Sequence, residues 1–375
     1  MHPSSLLSYY PTYSILDEIV SYGNYKKLTI FIDLKNTLQT TYMEHAIINI
    51  LESSKQTKFM DTSIFSSLIS FLSFHKIYGM KRGIDLNFII FFETGQSYYH
   101  LNISKQYKIS RKIDDLYGLD RADRELFWKI LHNNFRLIDR VCNKMPGVKV
   151  VRMSHLEADF VPYYLLSRKK VPLDENIGYI LYSNDHDMWQ CAAEDSYIFS
   201  KAGKNKKIIR AGNIMSTFLK RPCEYADVYL PLAMAVIGDP GDDVTGVKGV
   251  GPVRFLEILP QITAMTGSMR EVYKKVENGE NLFDPLPPSI SNKYLQKVVD
   301  AEVNKKTVSN NLKLVSFELL SRALDDPSTT EMIEKRKMIE SVLEDDKVYP
   351  LESLKIALTK TGVYLEESSI DFLYI

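Results

Sequence analysis

Four short apolar runs, rich in β-branched and aromatic residues, punctuate the first half of the chain: residues 28–32 (LTIFI), 86–92 (LNFIIFF), 148–153 (VKVVRM) and 177–183 (IGYILYS). Runs of this length and composition are those of parallel strands buried on both faces. Residues 196–200 supply a fifth, edge strand that leads into the basic run Lys201, Lys204, Lys206, Lys207 and Arg210. Between the runs lie helix-like stretches. One follows Asp33 to about residue 51, and another at 63–78 is apolar nearly all round, as a helix packed on a sheet would be. From residue 98 to 140 the chain is polar, charged and helical in period, and beyond residue 210 helices dominate, with a Pro-rich break at 284–288. Strands alternating with helices predict an α/β fold with a mainly parallel central sheet flanked by helices. The Ser- and Tyr-rich residues 1–26 form an N-terminal extension with a short helix near 15–20. Residues 326–375 form a charged helical tail with a packing face at Leu351, Leu354 and Ile356, and its final DFLYI is expected to be a packed terminus, with a partner-docking peptide as the alternative.

Composition narrows the class without naming it. At 375 residues, one elaborated domain with appendages is expected, and 45% hydrophobic with 25% charged residues is ordinary for a soluble protein. Lys and Arg (47) balance Asp and Glu (47), so any hold on nucleic acid must come from local clusters. The three cysteines, Cys142, Cys191 and Cys223, lack metal-type spacing and are expected to be reduced thiols of an intracellular protein. No basic segment followed by an apolar core opens the chain, so no secretory signal is expected. Apolar runs such as 64–74 are too short or too broken to cross a bilayer.

The chemistry lies where the strands end. Asp33 and Glu93 follow their strands directly, Asp185 stands within two residues of its strand, and Glu157 and Asp159 lie a few residues on. In parallel α/β sheets ligands sit beyond the carboxyl ends of the strands, so these acids should converge on one edge. Each alone would pass for a helix cap or a solvated loop residue. Joined by Asp239 and Asp242, they cannot all stay ionised in a small site unless cations neutralise them. Carboxylates without nearby Cys or His ligands favour Mg²⁺ or Mn²⁺. Residues 238–252 (GDPGDDVTGVKGVGP) then join such acids to a glycine-rich turn: Gly246, Gly249 and Gly251 flank Val247, Lys248 and Val250. Pro252 opens an apolar helix with Phe255, Leu256, Ile258 and Leu259. Glycines at that density, before a helix N-terminus, make a phosphate cradle. A hard-cation site beside a phosphodiester site suits cutting of nucleic acid by two ions about 3.5–4 Å apart. No side-chain nucleophile is needed, and the seven histidines are scattered.

The stretch GDPGDDVTGVKGVGP resembles the GDxxDNxPGVxGxG signature of the flap endonuclease family of metal-dependent 5′-nucleases, nearest its bacteriophage and bacterial 5′-to-3′ exonuclease branch. FIDLKN around Asp33, FFETG around Glu93, LEAD with Glu157 and Asp159, and SNDHDMWQ with Asp185 and Asp187 resemble further motifs of that family. YKISRK at 107–112 resembles its YKxxR element, and motif similarity covers about residues 28–260. The resemblance implies a PIN-like nuclease core over 27–215 with a helical arch at about 98–140, and a helix–hairpin–helix DNA-binding region over 216–325, closed by NLKLVSFELL at 311–320. It implies that Asp33, Glu93, Glu157, Asp159, Asp185, Asp187, Asp239 and Asp242 hold two Mg²⁺ or Mn²⁺ ions, with Lys108 and Arg111 against the scissile phosphate. It also implies a K⁺ ion held by the backbone of Val247 and Val250. Three positions depart from the family pattern: Glu93 for a usual Asp, Phe160 for the second Asp of EADD, and Asp243 for Asn.

Nucleic acid would meet this chain in two places. Lys105, Lys108, Arg111 and Lys112, with Tyr98, Tyr99 and Tyr107, read alone suit a solvated helix face with core-side tyrosines; the resemblance implies instead an arch or clamp over a single-stranded 5′ end. Lys248, Gly249, Gly251 and Arg254 suit duplex phosphates, whereas the run 201–210 is either a basic surface hairpin or a DNA contact. Backbone contacts of this kind read shape, so structure-specific rather than sequence-specific cutting is expected. The implied substrates are DNA with 5′ single-stranded ends or flaps and primers in RNA–DNA hybrids, during replication or repair. The implied partners are a polymerase, a clamp or a single-strand-binding protein, with a monomeric chain in the cytoplasm, that of a host if the chain is of phage origin. An RNA-cutting PIN-type nuclease and a DNA-binding replication scaffold that has lost catalysis are the alternatives. The helix–hairpin–helix speaks against the first, and binding without cleavage would support the second.

Overall fold

The computed structural model describes residues 13–41, 44–57, 61–109, 119–168, 176–193, 195–202, 205–287, 292–326, 330–344 and 349–361. Its centre is a six-stranded sheet of β1 (Lys27–Asp33), β2 (Asp85–Thr94), β3 (Val148–Ser154), β4 (Ile177–Tyr182), β5 (Ser196–Ala202) and β6 (Asn205–Ile209), in the order β3-β2-β1-β4-β5-β6. The first five strands run parallel, and only β6 is antiparallel, against β5. The expected edge strand is therefore an inner one. The basic run 201–210 turns back on it as β6, pairing Lys201 with Lys206, and this hairpin forms the edge.

The apolar runs become strands because each alternates its side chains between two cores. Leu28, Ile30, Ile32, Phe88, Ile90, Phe92, Ile180 and Tyr182 enter one core. Phe31, Ile89, Phe91, Tyr179 and Leu181 enter the other. A sheet covered on both faces has no polar side to display, which is why the runs look continuous rather than alternating. On the first face lie the helices Ser63–Arg82 and Arg121–Cys142; the first ends at Gly83 in the left-handed conformation (φ 66°). The second packs Ile130, Leu131, Phe135 and Ile138 onto the sheet, so the latter half of the expected arch belongs to the core. The opposite face is covered by the helix Leu230–Ile237 and the helices that follow, whose buried residues continue the core of the sheet without a break. Asn311 closes that region, donating from Nδ2 to the carbonyls of Ala235 (2.8 Å) and Thr245 (2.9 Å).

Among the described residues, the first and last helices pack onto the core. The helix Tyr13–Gly23 buries Leu16 and Ile19, and Asp17 accepts a hydrogen bond from Tyr78 Oη and pairs with Arg82, each at 2.8 Å. In the helix Leu351–Thr361 Leu354, Ala357 and Leu358 are buried and Leu351 packs partly against the same core, while Ile356 is 45% exposed and does not join the face expected of it. The terminal DFLYI lies outside the described residues.

His75 ties the helix Ser63–Arg82 to the sheet. It is wholly buried, with Nδ1 2.8 Å from the Phe71 carbonyl and Nε2 2.8 Å from Tyr182 Oη. Burial lowers its pKa to about 4, partly opposed by the Phe71 carbonyl. The unfolded chain, with His near 6.5, then binds more protons between those values, so this residue weakens folding as pH falls from about 6.5 to about 4. The full effect is on the order of 3 kcal/mol. His75→Phe should flatten that part of the stability profile relative to wild type, measured by denaturant unfolding at several pH values. Identical pH slopes for the two proteins would show that His75 is not held neutral.

Candidate metal centre and nucleic-acid face

Parallel register sets the acids side by side. Asp33 pairs with Phe91 across β1 and β2, Ile32 with Tyr182 across β1 and β4, and Glu93 with Met153 across β2 and β3. The carboxyl ends of four neighbouring strands thus meet at one edge. Asp33 accepts the Asn36 N–H (3.0 Å) at the start of the helix Leu34–Thr41, and Lys35 pairs with Glu93 at 2.7 Å. Past β4, the Asp185 N–H donates to Ser183 Oγ and Asp185 Oδ1 accepts the Asp187 N–H, each at 3.1 Å. Asn36 Oδ1 accepts the Asn184 N–H at 2.9 Å, linking the β1 and β4 loops. Asp239 accepts the Gly241 N–H (2.9 Å) in the short turn Pro240–Asp242. Asp243 sits in the left-handed region (φ 57°, ψ 27°), which Asp and Asn tolerate better than most side chains. Phe160 is fully buried in the apolar core, so the second acid of the EADD pattern is replaced by packing.

Tyr107 and Lys108, in the turn after the helix Tyr98–Ile103, connect that segment to these acids. Tyr107 Oη is shared between Glu157 (3.0 Å) and Asp242 (3.1 Å), and burial with those two charges raises its pKa well above the usual value, so it stays a donor. Lys108, itself left-handed (φ 52°), donates its backbone N–H to the Asp242 carbonyl (3.1 Å). Its ammonium lies 2.5 Å from Glu157 and 3.2 Å from Asp242. Burial would raise the pKa of Glu157, but the Lys108 charge overrides it and holds the carboxyl low.

Elsewhere negative charge is in excess. Burial pushes Asp33 up to about 7; the Asn36 N–H and Lys35 restrain it, and Glu93 and Asp185 push it further. Asp159 is raised by burial and then by Glu157, Asp185 and Glu93. Asp187 is raised by burial and then by Asp185, Asp242 and Asp159. These mutual influences join seven of the eight expected acids into one connected group, and Asp239 enters through Asp187 and Asp242. Those three each offer a carboxylate oxygen within 4.8 Å of the others. Asp159 Oδ1 and Asp187 Oδ1 are buried without a hydrogen-bond partner. Buried carboxyl oxygens that lack donors fit a hard divalent cation, and the donor set is all carboxylate.

The nucleic-acid residues divide. Arg111 and Lys112 lie outside the described residues. The turn after the helix Leu230–Ile237 has Gly249 left-handed (φ 83°) and Gly251 capping the helix Pro252–Thr266, with Pro252 at its first position. The Val247 carbonyl accepts the Val250 N–H (3.0 Å), which leaves a second lone pair at that oxygen. Arg254 is paired with Glu257 (2.7 Å) and stacks 4.7 Å from the Tyr294 ring centre. Sequence reading missed the residues that join it there: Lys293 and Lys297 lie 5.1 and 5.8 Å from the same ring, and Lys297 Nζ reaches the Lys248 carbonyl at 3.5 Å. Two lysines four apart astride a tyrosine were the available signal. It also missed Lys35 and Asn36, although both stand in the FIDLKN motif.

Curated relatives share part of this chain. A 5′-3′ exonuclease of Mycoplasma genitalium is 23% identical over 180 residues, 46% of this chain and 57% of that protein. A 5′-3′ exonuclease of Aquifex aeolicus is 22% identical over 209 residues, 55% of this chain and 64% of that protein. The chain thus spans less than two thirds of the length of either. Among solved structures, a bacteriophage T5 flap endonuclease in a pseudo-enzyme-product complex with DNA and metal ions superposes with a TM-score of 0.57 at 19% identity, covering 85% of this chain and 100% of that one. The chain resembles the flap endonuclease and 5′-to-3′ exonuclease family. Its fold is the PIN-like 5′-nuclease fold, shared also with a T5 5′-exonuclease holding divalent zinc (TM-score 0.54, 19% identity, 85% of this chain and 100% of that one). No family model matches the chain.

The family-like turn depends on a close backbone approach. A Cβ on Gly246 would lie 2.0 Å from the Ile237 carbonyl oxygen and 2.6 Å from the Gly238 nitrogen. Gly246→Ala must part the turn from the helix Leu230–Ile237 and should cost about 1–3 kcal/mol. Thermal or denaturant unfolding checks this, and unchanged stability would show that the two segments do not pack so closely.

Proposed function

We propose that this protein is a divalent-metal-dependent, structure-specific 5′-nuclease that hydrolyses phosphodiesters at 5′ single-stranded ends and flaps of DNA. The observation that carries it is the carboxylate cluster of Asp187, Asp239 and Asp242, with oxygens of Asp159 and Asp187 buried without donors, beside a glycine turn at a helix N-terminus. Asp33, Glu93, Glu157, Asp159, Asp185, Asp187, Asp239 and Asp242 would hold two Mg²⁺ or Mn²⁺ ions. Bound there, such ions supply an activated water and neutralise charge on the departing oxygen.

The chain's own residues do the rest. Lys35 and Asn36 fix the β1 end, so that Asp33 and Glu93 face the same edge. Tyr107 and Lys108 hold Glu157 and Asp242 and bring a cation to where a scissile phosphate would arrive, with Arg111 as a second cation. The turn at 246–252 is a helix–hairpin–helix in this reading. Lys248, Gly249, Gly251 and Arg254 grip duplex phosphates, and the backbone of Val247 and Val250 holds K⁺. Residues 27–215 then form the nuclease core, 216–325 the duplex-binding region and 326–375 the tail, with residues 1–26 preceding the core. RNA–DNA hybrids are a further substrate class, and a polymerase, clamp or single-strand-binding protein is a natural partner for a monomeric, cytoplasmic enzyme of replication or repair. The departures at Glu93, Phe160 and Asp243 leave the acid group intact, so nothing favours a scaffold without catalysis.

Cleavage of labelled 5′-flap DNA by wild type and Asp187→Ala, each with Mg²⁺, Mn²⁺ or EDTA, tests this. Short 5′ products should form only with metal, and the variant should lose more than the ~100-fold typical of an outer partner of a ligand. Flap binding by wild type with no cleavage under either ion would refute the enzyme reading.

A further inference from the structure

Beside the acids, on the loops that leave β2 and β3, stands an aromatic pair that the nuclease chemistry leaves unused. Tyr98 is 50% exposed, and its ring lies flat on His155, with centroids 4.3 Å apart and planes at 6°. The pair is built with some care. His155 adopts the left-handed conformation (φ 55°), which is uncommon for residues other than glycine though tolerated by Asn, Asp and His. Its N–H donates to the Thr94 carbonyl (2.9 Å), and its carbonyl accepts the Tyr98 N–H (3.0 Å). Gly95, also left-handed (φ 81°), lets the chain pass so close that a Cβ there would lie 2.6 Å from His155 Nδ1. That Nδ1 is buried and has no hydrogen-bond partner, so the imidazole is held by packing, with its flat face against Tyr98.

The platform is also tied to the acids. Tyr98 begins the helix Tyr98–Ile103, and His100 on the same helix stacks on Tyr107 (4.6 Å, 14°), whose hydroxyl is shared by Glu157 and Asp242. His155 lies two residues before Glu157. A rigid, half-exposed ring at this distance along the fold from a phosphodiester-cutting site fits one kind of ligand, a nucleobase. Bases of unpaired nucleic acid stack on aromatic faces whatever their identity, which suits an enzyme that reads structure rather than sequence.

We propose that the Tyr98–His155 pair is a stacking platform for one base of the single-stranded segment of the substrate. It rests on the nuclease reading and adds a substrate subsite to it. The test uses the full chain with Ca²⁺ in place of Mg²⁺ and DNA carrying a 5′ single-stranded overhang. With 2-aminopurine placed in turn at each overhang position, wild type should quench its fluorescence at one position. Tyr98→Ala should abolish that quenching and weaken overhang binding about tenfold, the scale of one base–aromatic stack. Tyr98→Phe should restore both, and blunt duplex of the same length should bind wild type and Tyr98→Ala alike. An abasic residue at the quenched position should cost wild type the same factor and cost Tyr98→Ala nothing more. If wild type binds the DNA with Ca²⁺ and cuts it with Mg²⁺ but quenches at no position, or Tyr98→Ala binds the overhang as wild type does, the platform is overturned and the nuclease reading stands. If wild type neither binds nor cuts, both fall. Should Tyr98→Ala fail to fold, the wild-type quenching scan and the abasic substitution decide the matter alone.

Discussion

Mutual repulsion among buried carboxylates is the constraint that shapes this molecule's working edge. Asp33, Asp159 and Asp187 are each driven toward the protonated form, first by burial and then by one another's neighbours. A fold that gathers such groups gives up stability unless positive charge is brought to them. Two lysines do part of this, Lys35 at Glu93 and Lys108 at Glu157 and Asp242. The remaining excess lies around Asp159 and Asp187, where carboxylate oxygens lack hydrogen-bond donors, and that is where divalent cations fit.

The rest of the structure is what holds those charges together. A parallel sheet, buried on both faces, aligns the ends of β1, β2, β3 and β4 and tolerates no slippage, because a one-residue shift would exchange the two cores. Asp239 and Asp242 come from outside the sheet, and their placement depends on the helix Leu230–Ile237 and its tight junction with Gly246. Asn311 fastens the same junction from the far side of the chain. Distant helices therefore contribute to the site through packing, without offering a ligand.

Much of this could be seen in the amino-acid order. The four strands were plain because burial on both faces leaves short unbroken apolar runs. The acids were plain because parallel topology makes strand ends converge. The β5–β6 edge was misjudged because the charges of Lys201, Lys206 and Lys207 obscure the strand pattern that the backbone pairing reveals. Ile356 was misplaced because a short helix offers several apolar stripes and only tertiary packing selects one. The docking of Lys108 onto Glu157 and Asp242 depends on a left-handed backbone at a lysine, which no local propensity signals. The basic cluster at Lys293, Lys297 and Arg254 comes from two helices that are neighbours only in the fold.

The central claim is that the acid edge binds divalent cations, and anomalous diffraction from crystals soaked in Mn²⁺ tests it most directly. The account predicts manganese peaks among the carboxylates, one of them within coordination distance of Asp187, Asp239 or Asp242. Well-ordered crystals with no manganese at this edge, at concentrations that saturate hard oxygen sites, would contradict it.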